Sequence, residues 1–224
     1  MIYAVSDIVR DIKIALDENT SSTQLVAMGD VDTLTLNDII DSKVEDAARY
    51  VVLHAPAVML DSGKAFGGTI TWDMTEGYGS GTIALPDDFL RLIVFQMSDW
   101  SMPVTQAIDA NHPLYSRQHS RYAGVRGNPQ RPVVAVVQYG VGNVLEFYCC
   151  EQGTGVYVKL ARYAPKPERY TYNSAEVIDL PEKLLRPLVY YAAYLVSVIQ
   201  QQTEQADRYK AICHELLGIT MTNE

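Results

Sequence analysis

Leu184-Leu185-Arg186-Pro187-Leu188-Val189-Tyr190-Tyr191-Ala192-Ala193-Tyr194-Leu195-Val196-Ser197-Val198-Ile199 is the stretch whose period sets the fold. Leu184, Leu185, Leu188, Ala192, Leu195, Val196 and Ile199 recur at intervals of three and four, which puts them on one face of an α-helix. Pro181 suits a first helical position, where its fixed φ is already helical and its missing N–H costs nothing. Gln200-Gln201-Gln202-Thr203 is polar. The period then resumes through Ala206, Tyr209, Ile212, Cys213, Leu216 and Leu217 to Gly218, a residue suited to the left-handed position that ends a helix. The reading is one long helix, or two with a break near Thr203.

The same period governs the other end of the chain. Val5, Ile8, Ile12, Ala15 and Leu16 form one apolar stripe, with Ser6 as the expected N-cap and Asp7 at the positive end of the helix dipole. Residues 18–33 are polar, contain Gly29-Asp30 and read as a loop. Thr35-Leu36-Asn37-Asp38 resembles a capping box with Asp in its third place. Ile40, Val44, Ala47, Ala48, Val51 and Val52 follow as a second stripe, and Pro56 marks its exit. Neither helical end can bury its stripe alone, so the two are expected to pack together.

At Gly63 the period changes from about 3.6 residues to two. Thr69–Trp72 and Gly81–Leu85 flank a glycine-rich turn and read as a hairpin. Arg91–Met97 reads as a strand, and a short helix is expected between Asn111 and Tyr122. Arg131–Tyr139, Val144–Cys150 and Val156–Tyr163 read as a three-strand meander with turns at Gly140–Asn143 and Gln152–Gly155. The expected fold is therefore α+β: a helical bundle formed by N- and C-terminal helices with a central antiparallel β-rich insertion. The expected divisions are 1–62 and 176–224 for the helices and 63–175 for the insertion.

Composition narrows the function. The chain has 224 residues, 48% hydrophobic and 20% charged, an ordinary globular composition for a length that buries a large core without staples. No basic n-region or apolar leader opens the sequence. The longest apolar run, Leu188–Ile199, falls short of the roughly 20 residues of a bilayer span, so use in a cytoplasm is expected. Cys149, Cys150 and Cys213 are odd in number and irregular in spacing, which fits reduced, buried thiols rather than a disulfide framework. Net charge is −9 and unevenly spread: residues 1–110 hold 17 acids and 6 bases, and residues 111–224 hold 10 acids and 12 bases. An acidic half is unsuited to gripping phosphate.

No catalytic constellation emerges. There is no nucleophile elbow, phosphate-binding loop or His-Glu-x-x-His. Gly77-Tyr78-Gly79-Ser80-Gly81 reads as a hairpin turn, because no strand–loop–helix context surrounds it. His54, His112, His119 and His214 lack metal-ligand spacing, and Asp87-Asp88 after Leu85-Pro86 reads as capping a helix or turn rather than as an acid/base pair. No cofactor or metal is expected. Arg117, Arg121, Arg126 and Arg131, interleaved with Tyr115 and Tyr122, are the candidate contact residues. Aromatic–basic interleaving can stack on bases, and Tyr and Arg also dominate protein–protein hot spots. Two rival readings follow: a nucleic-acid-binding module using 117–131, and a hydrolase using Asp87-Asp88.

Leu85-Pro86-Asp87-Asp88-Phe89-Leu90-Arg91-Leu92, after a glycine-rich hairpin, resembles a run in the head-to-tail adaptors of short-tailed phages and in the first ring protein of crAss-like phages. Leu188-Val189-Tyr190-Tyr191-Ala192-Ala193-Tyr194-Leu195, with Gln200-Gln201-Gln202 and Ala206-Asp207-Arg208-Tyr209 beyond it, resembles the C-terminal helices of that family. The resemblance implies a non-enzymatic virion protein of the neck region, assembled in the host cytoplasm and contacting no membrane. It implies a homo-oligomeric ring, typically of twelve copies, that docks on the portal and presents a platform to the next tail or ring protein. DNA would pass the lumen without specific binding.

Overall fold

The two periods give the following elements in a computed structural model, which describes residues 1–16, 35–73, 79–120, 122, 125–140, 142–150 and 155–219. Strand β1 (Ile2–Ala4) runs into helix α1 (Val5–Ala15), and α2 (Leu36–His54) follows. Then come β2 (Lys64–Ala65), β3 (Thr71–Asp73), β4 (Gly79–Ala84) and β5 (Phe89–Met97). After the short helix α3 (Tyr115–Gln118) lie β6 (Val134–Tyr139), β7 (Gly142–Cys150) and β8 (Val158–Pro165). A hairpin of β9 (Arg169–Tyr172) and β10 (Ala175–Asp179) leads to α4 (Leu185–Ile199) and α5 (Thr203–Leu217). The fold is mixed α+β with antiparallel strand pairing, in two units: residues 1–61 with 166–224, and residues 62–165. The loop reading of 18–33 lies outside the described residues.

In the first unit α4 touches α1, α2 and α5. The core draws Ile8 and Ile12 from α1, Ile40, Val44 and Val51 from α2, Leu188, Ala192 and Val196 from α4, and Cys213 and Leu217 from α5, all fully buried. The Thr35–Asp38 capping box forms: each residue's side chain accepts from the other's backbone N–H. Gly218 takes the left-handed position after α5 at φ 69°. The C-terminal stripe is two helices. Gln200 ends α4, and Gln201 at φ 60° turns the chain into α5.

Local readings shift where neighbours intervene. Ser6 lies inside α1, and the cap position falls on Ala4 without a side-chain bond, because residues 2–4 pair with β10 and the helix begins where that strand ends. The helix after Pro181 opens as a 3-10 turn over Glu182–Leu184. Leu195 is only partly buried and Ile199 is 47% exposed, whereas Val189, Ala193 and Ser197 are buried. Three helices surround α4, so its enclosed face is rotated and widened beyond the apolar stripe.

Arg169 of β9 ties its sheet to α2. Its guanidinium pairs with Asp41 at 2.8 Å and with Glu45 and Glu176 at 3.6 Å, with the side chain only 17% exposed. The β9–β10 turn puts Asn173 and Ser174 at positive φ, the twist that a two-residue hairpin requires. Strand β10 pairs with both β1 and β9, all in the first unit, so residues 166–175, whose texture reads as part of the insertion, belong to the unit that holds the helices. A two-residue period marks a strand and leaves its sheet open.

In the second unit a β2–β8–β5 sheet and a β3–β4–β7–β6 sheet share one core of Ile83, Phe89, Phe95, Met97, Leu145 and Phe147. The Phe95 and Phe147 rings stack 5.9 Å apart across it. The expected hairpin is β3 with β4; residues 74–78 of its turn lie outside the described residues. The expected meander is corrected. Strand β7 pairs with β6 and β4, whereas β8 crosses to β5 and β2. Strands of a sandwich that follow one another in sequence can lie in opposite sheets, and their own alternation does not reveal it.

One glycine is indispensable to the second unit. Gly63 sits at φ +66°, and an added Cβ would lie 2.4 Å from the Tyr163 carbonyl oxygen and 2.5 Å from Ile93 Cδ1. Left-handed backbone costs an L-residue about 1–2 kcal/mol before any clash. Gly63→Ala should therefore lower stability by about 2 kcal/mol or more in chemical denaturation; a change below about 0.5 kcal/mol would contradict this geometry.

Candidate interaction surface

The arginine segment connects β5 to β6. Arg117 is exposed on α3, and Arg131 is exposed at the close of a tight turn in which its N–H donates to the Asn128 carbonyl at 2.8 Å. Tyr122 is 69% exposed, Arg126 is half-buried, and Arg121 lies outside the described residues. Tyr115 differs from the others: its ring is partly buried and packs edge-on to His119, which in turn packs edge-on to Tyr148.

Beneath this segment lies a polar cluster that sequence reading missed. Strand alternation points Leu145 and Phe147 into the core and Glu146 and Tyr148 to the opposite face. That face is also covered, by Ile108, Tyr115, Val133 and Val137. Glu146 is 5% exposed and accepts from the Tyr139 and Tyr148 hydroxyls. The Tyr115 ring packs beside Tyr148 on the same face. Donation to Glu146, with burial, pushes the Tyr139 phenol up to about 12. Burial first, then Glu146, raises Tyr148 and Tyr115 as well. The available signal was a carboxylate inside an otherwise apolar strand, Val144-Leu145-Glu146-Phe147-Tyr148.

These shifts have a defined sign. A phenol raised from 10 in the unfolded chain to about 12 in the fold stabilises below pH 10, and that contribution is lost as pH rises through about 12. Ultraviolet titration of the folded chain should show tyrosines ionising near or above pH 12. Glu146→Gln should bring the Tyr139 transition down toward 10; an unmoved transition would remove Glu146 as its cause.

The remaining candidates take structural places. Asp87 and Asp88 form a turn closed by Phe89 N–H to the Pro86 carbonyl at 2.9 Å, rather than a helix cap. Asp88 accepts from Lys64 at 2.8 Å and from the Tyr163 hydroxyl at 2.6 Å. Burial alone would raise its pKa, but these two bonds, the Lys64 charge and a backbone hydrogen bond together lower the group. His54 and His214 stack with Tyr50, whose hydroxyl lies 3.0 Å from His214 Nε2. Among the described residues no group of three His, Cys, Asp or Glu is placed to hold a metal, and no helix is long and apolar enough to cross a membrane.

The model of one protein family, described as SU10 adaptor protein, matches residues 3–219. No curated protein matches the chain.

Proposed function

The chain belongs to the SU10 adaptor protein family, and from that premise we propose that it is a structural protein of the phage neck, closing into a ring that joins the portal to the tail and surrounds the path of the DNA. The observation that carries this reading is that the family match extends over both units, helical and β-rich, rather than one of them. We read α1, α2, α4 and α5 as a bundle that carries the ring, with twelve copies as the proposed number. The partners are other copies, the portal and the next tail or ring component; assembly takes place in the host cytoplasm and the site of action is the virion. Identical head-to-tail contacts close into a ring when the rotation between copies permits.

Arg117, Arg126, Arg131 and Tyr122, with Arg121, supply one side of the contact between copies. The acids of residues 1–110 supply the other. No chemistry is assigned to the chain. The test is native mass measurement with negative-stain imaging of the chain alone and mixed with portal protein. A closed ring of defined mass supports the reading; a monomer in both samples overturns it.

The exposure of Arg117, Arg131 and Tyr122 favours one second reading, a nucleic-acid contact. It requires micromolar, steeply salt-dependent DNA binding at about 150 mM salt.

A further inference from the structure

We infer that residues 115–118 and 125–131 carry a preformed cationic surface, held together by the buried side chain of Gln118, seated on its sheet by Tyr115 and shaped for an acidic protein surface. This rests on the reading of the arginines as a contact surface, and it assigns positioning roles to Gln118, outside that set, and to Tyr115.

Gln118 is 2% exposed. Its Oε1 accepts from the Gly127 N–H at 3.0 Å and its Nε2 donates to the Leu114 carbonyl at 2.9 Å, so one buried amide binds positions 114, 118 and 127 together. Gly127 fits closely: an added Cβ would lie 3.0 Å from the Arg131 carbonyl oxygen and 3.1 Å from Val133 Cγ2. The Asn128 side chain then accepts from the N–H groups of Gln130 and Arg131, both at 3.0 Å. On the opposite side the Tyr115 ring packs against Ala135 and Tyr148, seating α3 on its sheet. Buried amides and carboxylates are costly unless fully partnered. Here the Gln118 amide is partnered on both sides by the segment that displays the arginines.

A surface whose shape exists before its partner arrives gives up little backbone freedom on binding. Guanidinium groups held in place can meet carboxylates in bidentate pairs. The acids that match them are those of residues 1–110, whose net charge is opposite, on a second copy. A chain of net charge −9 repels phosphate at long range, which favours protein over nucleic acid.

The experiment compares the full chain with Gln118→Ala, Tyr115→Ala and Arg117→Glu. Amide exchange is read at 115–118 and 125–131, together with the protein concentration at half assembly. In Gln118→Ala and Tyr115→Ala, exchange at those amides should rise about ten-fold or more, and half assembly should need about ten-fold more protein. Arg117→Glu should impair assembly with exchange unchanged. Unaltered exchange in both anchor variants overturns the positioning roles and leaves the arginine contact standing. Faster exchange with assembly at the parent concentration overturns the inference, and if Arg117→Glu also assembles normally the arginine contact falls with it. A DNA duplex bound by the parent and released by the anchor variants would assign the surface to nucleic acid and overturn it too. Gln118→Met keeps the length of the side chain while removing its amide, and carries the test if Gln118→Ala fails to fold.

Discussion

Leu188→Ala should destabilise the helical unit by about 3–5 kcal/mol, the largest single-residue effect expected in the chain. Leu188 is fully buried on the one helix that touches α1, α2 and α5. Removing its side chain loses the transfer term and leaves a void that helices held from three directions cannot close. Against a typical domain stability of about 5–15 kcal/mol, the loss is about a fifth or more of the total. Leu195 supplies the internal comparison. It lies on the same apolar stripe but is only partly buried, so Leu195→Ala should cost less, about 1–2 kcal/mol. Urea denaturation followed by helical circular dichroism measures both. Equal losses in the two variants would mean that the stripe, not the observed enclosure, defines the core.

Reversing charge at Arg117 and Arg131 together should abolish ring assembly while leaving the subunit's melting temperature within about a degree or two of the parent. Both side chains are exposed, so neither supports the fold, and surface substitutions of this kind are usually near neutral for stability. At an interface the effect is different. Each reversal replaces an attraction with a repulsion, on the order of ten-fold per contact. A closed ring repeats that penalty at every interface, so the product is a large shift in assembly concentration. The parent ring should itself weaken as salt rises and the Debye length shrinks. Sedimentation velocity of parent and double variant at low and high salt reads all of this. A double variant that assembles as the parent does, while losing salt-dependent DNA binding, would move the arginines to the nucleic-acid reading.

Local chemistry alone determined much of this protein. The 3.6-residue stripes of α1, α2, α4 and α5, the Thr35–Asp38 capping box, the stop at Gly218 and the hairpin of β3 with β4 all depend on residues within a few positions of one another. Steric and hydrogen-bonding preferences act at that range, so the sequence displays them directly. The basic segment was legible for the same reason, as a local excess of arginine.

Tertiary structure decided everything that depends on which element meets which. Val158–Pro165 has the alternation of a meander strand, yet it pairs with β5. The 169–179 hairpin has the texture of the insertion, yet it lies beside β1. Gln118 and Glu146 have the residue types of a solvated surface, yet they are buried, Glu146 on the face of β7 that Ile108, Tyr115, Val133 and Val137 cover and Gln118 between Leu114 and Gly127. Periodicity shows that an element has an apolar face, whereas the partner for that face is fixed by contacts between residues far apart in the chain. Burial of a polar group follows from those contacts alone, and so the anchors beneath the arginines could be found only in the folded molecule.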